Sequence, residues 1–129
     1  MAKLDARVRK LLEGKNFVFL ATINKDGTPH VTPTWVDTDG ENVLINTAFG
    51  RIKMRNVTRD SRVAVGVFDH ANPYERASIQ GKVLRQVKGK EAEEHIDKMA
   101  QKYIGKEKYP WRSAGERRVI LVIKPLKIY

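Results

Sequence analysis

INTAFGRIKMRNVTRDSRVAVGVF, residues 45–68, runs from an apolar strand end through Thr47 and Gly50 into five basic residues, Arg51, Lys53, Arg55, Arg59 and Arg62, and then into a second apolar run. Segment 51–60 reads as about two and a half turns of helix, so the stretch is strand, tight turn, helix and strand. A helix start offers unpaired backbone N–H groups and the positive end of a dipole, which suits an anion. Basic residues in a first turn oppose that dipole at a cost of about 0.3–1 kcal/mol each, and a bound dianion reverses the sign. Arg51 can grip a phosphate with its planar fork, Lys53 adds a compact charge, and Thr47 offers a hydroxyl. Arg59 and Arg62 read as solvated surface charges.

Outward from this stretch the chain alternates short apolar runs with turns. NFVFLATI (16–23), HVTPTWVD (30–37) and NVLINT (42–47) are separated by NKDGTP and TDGE, whose Asp-Gly pairs mark hairpins. They predict a three-stranded antiparallel meander. Pro33 cannot donate to a ladder, so its strand is expected at an edge, or bulged where something other than a strand approaches. RVAVGVFD (62–69) and ERASIQGKVLRQV (75–87) follow as strands joined by HANPY, and RRVILVIKPLKIY (117–129) is the last. Helices are expected over KLDARVRKLLEG (3–14) and GKEAEEHIDKMAQKYIG (89–105), the second with Ala92, Ile96, Met99, Ala100 and Tyr103 on one stripe. Six mostly antiparallel strands with flanking helices predict a mainly β fold, a small closed or split barrel.

The 129 residues suit one domain, 1–129, around one core. With no cysteine there is no disulfide framework, thiolate metal site or cysteine nucleophile. The apolar runs are too short to span a bilayer, and MAKLDARVRK lacks the apolar stretch of a signal peptide, so a cytoplasmic protein is expected. A net charge of +10 favours an anionic partner. His30, His70 and His95 are scattered without metal-ligand spacing, and His95 reads as a partly exposed surface residue. Asp5, Asp26, Asp39 and Asp60 fall in turns or at helix ends, no carboxylate pair asks for hydrolysis, and no G-x-S-x-G motif is present.

NTAFGRIKMRNVTRDSRVAV, taken with NPYERASIQGKV, EEHIDKMAQKYIG, YPWR and the closing RRVILVIKPLKIY, resembles the flavin-binding split β-barrel superfamily of pyridoxamine 5'-phosphate oxidase-like proteins. Within it the chain is most similar to the small oxidoreductases that use the deazaflavin coenzyme F420. The resemblance implies a six-stranded split barrel of the FMN-binding type and a homodimer with the cofactor, F420 or FMN, at the subunit interface. It implies that Thr47, Arg51 and Lys53 hold the cofactor phosphate, and that the ring lies along Val31, Thr32, Pro33, Thr34 and Trp35. Tyr109, Trp111 and Arg112, or Tyr129, are candidates to cover the ring from the second subunit. Hydride transfer to or from a small organic substrate is the implied chemistry, with His30, His70 and Tyr74 as candidate proton donors.

The ending IKPLKIY lacks the substrate motif and closing Arg-Leu-x-Pro of the pyridoxamine phosphate oxidases proper, so vitamin B6 oxidation is not expected. The spacing Arg51-Ile52-Lys53 is similar to the deazaflavin branch rather than to the adjacent Arg-Lys common in FMN enzymes. Two other readings stay open: a non-enzymatic FMN or F420 binder, and a basic nucleic-acid-binding barrel. Against the latter, the charges are spread along the chain and no RNA-binding motif is visible.

Overall fold

The computed structural model describes residues 2–129. Ten elements follow one another: α1 (Ala6–Glu13), β1 (Val18–Ile23), β2 (Pro29–Thr34), β3 (Asp37–Thr38), β4 (Val43–Ala48), α2 (Ile52–Arg59), β5 (Arg62–Phe68), β6 (Arg76–Lys88), α3 (Lys90–Ile104) and β7 (Arg118–Ile128). The strands form one sheet in the order β2-β1-β5-β6-β7-β4-β3, every pair antiparallel.

Seven strands stand where six were expected, and the predicted meander is not formed. The run 30–37 breaks at Trp35 and Val36. Val36 is fully buried; its N–H donates to the Tyr103 hydroxyl at 3.0 Å, and its carbonyl accepts from Lys102 Nζ at 2.7 Å. Backbone groups spent on α3 cannot continue a ladder, so the chain leaves β1 and starts β3 against β4. β2 and β3 therefore occupy opposite edges of the sheet while only two residues separate them in sequence. A seven-stranded sheet meets that constraint only by curling until its edges nearly close, which makes it a split barrel with Trp35 and Val36 at the seam. Pro33 lies on an edge strand, as its missing donor requires.

The barrel interior is filled by Val18, Leu20, Ile45, Val65, Ile79, Leu121 and Ile123, and α1 adds Val8 and Leu12. α1 starts at Asp5, whose carboxylate accepts from Val8 N–H at 2.9 Å. Outside the barrel, α3 lays Ala92 on Ile120 and Val122, and Ile96, Met99 and Tyr103 towards Trp35. The stripe expected on α3 is buried in full. Its end is fixed by Gly105 in the left-handed region at φ 68°, with its N–H bonded to Ala100 and Gln101 carbonyls.

Gly81 marks the first of two irregularities in the β6–β7 ladder. A Cβ there would meet the Lys124 carbonyl oxygen at 2.5 Å and Ile123 Cγ2 at 2.9 Å, so backbone must move. Gly81→Ala is expected to cost about 1–3 kcal/mol, read as a lower urea midpoint with an unchanged slope.

At the seam, burial pushes the Lys102 ammonium down to about 8 and the Tyr103 hydroxyl up to about 12. Between about 8 and the ordinary lysine value of 10.5, the unfolded chain holds more protons at Lys102, so its contribution makes stability rise with pH. Tyr103 acts oppositely between 10.0 and about 12, where the unfolded phenol ionises first. Melting curves should show the rise from pH 8 to 10 in the natural chain and its loss in Lys102→Met.

Candidate functional site

Gly50, at φ 94°, turns the chain from β4 into α2, a conformation that disfavours a side chain. Arg51 takes the N-cap position in extended backbone, and its carbonyl accepts from Met54 and Arg55. The N–H groups of Ile52 and Lys53 have no backbone acceptor among the described residues, and the first turn carries no acidic residue. The helix start therefore presents free donors and cations together.

This start opens on a cleft of about 200 Å³ between the barrel seam and α3. Pro33 and Thr34 line it from the end of β2, Trp35 from the seam, Asn46 from β4, Arg118 from β7 and Ile96 from α3, together with Arg51. Tyr109 and Trp111, from the segment between α3 and β7, complete an aromatic wall. Trp35 stacks on Tyr103 at 5.1 Å and 3°, and the Trp111 ring centroid lies 6.4 Å from it. The Arg118 guanidinium lies 5.1 Å from the Tyr109 ring centroid.

Acidic residues of α3 hold that aromatic segment in place. Asp97 accepts from Tyr109 N–H at 2.8 Å and from Arg112, while Glu93 accepts from Arg112 Nε at 3.2 Å and from Arg118 N–H at 2.8 Å. Their spacing of four residues puts both carboxylates on one helix face.

Arg118 is buried and set by a chain of polar contacts. Its Nε donates to Asn46 Oδ1 at 2.9 Å; Asn46 Nδ2 donates to the Ala92 carbonyl at 3.0 Å and lies 3.0 Å from His95 Nδ1; His95 Nε2 lies 3.0 Å from Asp37 Oδ2. Because the amide oxygen faces the guanidinium, the amide nitrogen donates to His95 Nδ1. The remaining imidazole proton then sits on Nε2 and points at Asp37. Burial pushes the Asp37 carboxyl up, but the His95 bond, Thr38 N–H and the Lys98 charge outweigh it and hold it below its ordinary value.

Lys53 is also buried. Burial, then repulsion from Arg51 and Arg118, pulls its ammonium below the ordinary lysine value. The Oγ of Thr47, the Oγ of Thr32 and Nη1 of Arg118 are buried without hydrogen-bond partners among the described residues. Among the described residues, the carboxylate in ion-pair range of these cations' side chains is Glu116, 3.8 Å from Arg51 Nη2 and 3.4 Å from Arg118 Nη1.

Of the residues singled out in the sequence, Pro33, Thr34, Trp35 and Arg51 meet in this cleft. Thr47 lies on the barrel side of β4, paired with Val119, and Lys53 is coupled to the cleft by its charge. Thr32 shares the barrel side with Leu20, whereas Val31 pairs with Ala21 and is exposed on the outer face. Tyr109 and Trp111 line the cleft of their own chain, Arg112 turns to Glu93 and Asp97, and Tyr129 lies by Phe19 on the outer face. Neither His30, His70 nor Tyr74 lines the cleft: His70 accepts from Phe17 N–H, and Tyr74 is exposed.

His95, expected at the surface, is buried between Asn46 and Asp37. Asn46 and Arg118 were not singled out. Arg118 sits within the apolar run RRVILVI, where one basic residue reads as a strand end, and Asn46 precedes Thr47 as an unremarkable strand residue.

A curled antiparallel barrel with a cationic helix start facing an aromatic wall belongs to the split-barrel class. A family model described as pyridoxamine 5'-phosphate oxidase matches residues 4–129. The chain belongs to that family. Among solved structures it is similar to an F420 reductase, at 31% identity over 94% of each chain with a TM-score of 0.83. It also shares the fold of a conserved hypothetical protein from Mycobacterium tuberculosis, at 24% identity over 99% of this chain and 82% of that one, TM-score 0.75. A putative pyridoxamine 5'-phosphate oxidase from Listeria innocua shares it at 17% identity over 88% and 86%, TM-score 0.63. No curated protein matches the chain.

Proposed function

We propose that the chain is an oxidoreductase that binds a phosphorylated flavin-type cofactor, F420 before FMN, and passes hydride to or from a small organic substrate. The observation that carries the reading is the charge imbalance beside the aromatic wall. Arg51 and Arg118 line one end of the cleft and Lys53 is coupled to them by charge, with Glu116 the carboxylate in ion-pair range of their side chains among the described residues. Like charges brought together and partly buried cost free energy, and an anion repays it. The buried, unpartnered Thr47 Oγ and the free N–H groups of Ile52 and Lys53 are donors of the kind a phosphate accepts from. The 31% identity to an F420 reductase favours F420.

In this reading Arg51, Lys53 and Thr47 hold the phosphate, and Pro33, Thr34 and Trp35 lie along the ring with Thr32 behind them. A bound flavin or deazaflavin supplies the hydride chemistry. The chain's residues bind and orient: Arg118 presents a fixed positive charge, and Tyr109 and Trp111 exclude water from one side.

We further read the protein as a homodimer. The outer sheet face carries the rows Pro33, Phe19, Gly66 and Val31, Ala21, Ala64, with Phe19 45% and Val31 59% exposed. A contiguous apolar face of this kind marks an interaction surface. Pro33 belongs both to that face and to the cleft, so a second copy would finish one wall of the site. Among the described residues, no helix is long and apolar enough to cross a membrane.

The test of activity is to load the protein with reduced F420 and offer a panel of small organic acceptors. Acceptor-dependent return of the oxidised F420 absorbance is expected. Tight binding without turnover across the panel would instead support a cofactor-binding protein that is not an enzyme.

A further inference from the structure

Glu116 stands out because it is the wrong sign for its surroundings. Its side chain is 11% exposed, and its carboxylate lies between the guanidiniums of Arg51 and Arg118 at 3.8 and 3.4 Å. Yet Oε2 of Glu116 and Nη1 of Arg118 are both buried without a hydrogen bond. The carboxylate thus acts here through its charge, as an ion pair with Arg118 at 3.4 Å. Its position is built by the backbone: Glu116 N–H donates to the Ser113 carbonyl at 3.1 Å, and Gly115 before it takes φ 75°.

The neighbouring carboxylates are committed elsewhere. Glu93 accepts from Arg112 Nε and from the backbone N–H of Arg118, Asp97 accepts from Tyr109 N–H and Arg112, and Asp37 pairs with His95 and Lys98. Among the described residues, Glu116 is the carboxylate in ion-pair contact with the side chains of these cations, at Arg51 and Arg118, and so offsets part of their charge.

We propose that Glu116 is a charge selector, a carboxylate that weakens binding of a doubly charged phosphate monoester more than that of a singly charged phosphate diester. This deepens the cofactor reading above and rests on it. Coulomb energy is linear in ligand charge, so a fixed negative charge beside the phosphate penalises a dianion twice as much in free energy as a monoanion. In affinity the penalty for the dianion is the square of that for the monoanion. FMN carries a monoester; F420 joins its ring to the rest of the cofactor through a diester. A retained carboxylate therefore tilts an otherwise phosphate-hungry site towards the diester class.

Three ligands share one ring and differ at the phosphate, absent, doubly charged or singly charged. Fluorescence titrations at pH 8 and fixed low ionic strength would use riboflavin, FMN and the monomethyl phosphate ester of FMN against the natural chain, Glu116→Gln and Glu116→Asp, with F420 as a fourth ligand. Glu116→Gln is expected to tighten the monomethyl ester about three- to tenfold and FMN about ten- to a hundredfold, leaving riboflavin unchanged. Glu116→Asp, which retains the charge, should keep the natural ranking. Equal changes for FMN and its monomethyl ester, or no change in either, would overturn the selector while leaving the cofactor site standing. Failure of natural chain and variants alike to bind any of the four ligands would overturn the cofactor reading, and the selector with it.

Discussion

Arg51→Ala combined with Lys53→Met should abolish measurable binding of F420 and of FMN while the protein stays folded. Charge-assisted hydrogen bonds to a phosphate are worth about 1.5–3 kcal/mol each, so losing two weakens affinity by about two to four powers of ten. Stability should scarcely change, for reasons visible in the fold. Arg51 is half exposed, and its one ion pair among the described residues is a 3.8 Å contact with Glu116. Lys53 is buried against repulsion from Arg51 and Arg118, so an apolar side chain of similar length removes a cost and keeps the packing. Titration of the double variant beside its thermal melt separates the two effects. Retained affinity would remove Arg51 and Lys53 from the phosphate site, and a lost melt would show that they hold the barrel instead.

The second large effect is expected at His95. His95→Leu strips Asp37 of its closest partner and leaves an Asn46 amide hydrogen without an acceptor, both in buried or half-buried positions. Each unsatisfied group costs about 1–3 kcal/mol, so a loss of about 2–5 kcal/mol in unfolding free energy is expected, read from urea titration. The same change frees Asn46 to turn, and Arg118, whose Nε is bonded to the Asn46 oxygen, loses its fixed position. Cofactor affinity should therefore fall even at urea-free conditions where the protein is fully folded. His95→Gln, which keeps a polar side chain there, should recover part of both losses. An unchanged affinity in a stable His95→Leu protein would show that Arg118 needs no such support.

What the sequence made legible follows from how local each signal is. The turn at Gly50, the helix after it and the cations at its start lie within a dozen residues, so pattern and chemistry could be read together. Hairpin turns at Asp26-Gly27 and the stripe on α3 were legible for the same reason. The seam was not. That Val36 is claimed by Lys102 and Tyr103, some 66 and 67 residues away, has no trace in a run that reads as one strand, and with it went the seventh strand and the true sheet order. His95 was misread because its burial depends on Asn46 and Asp37, brought to α3 only once β3 and β4 cross to the far edge. Arg118 was hidden likewise: its partners are 72 residues away in Asn46 and, next door, in Glu116. Val31 and Thr34 sit in the same stretch, but pleating sends Val31 to the outer face, a distinction that only the register with β1 fixes.

On our proposal this barrel binds a phosphorylated flavin-type cofactor in the cleft between its seam and α3. The most direct measurement is a titration of the purified protein with F420 and, separately, with FMN, following visible absorbance and fluorescence. Saturable binding of F420 at about micromolar concentrations or tighter, with weaker binding of FMN, is the predicted result. Binding of neither cofactor would contradict the account.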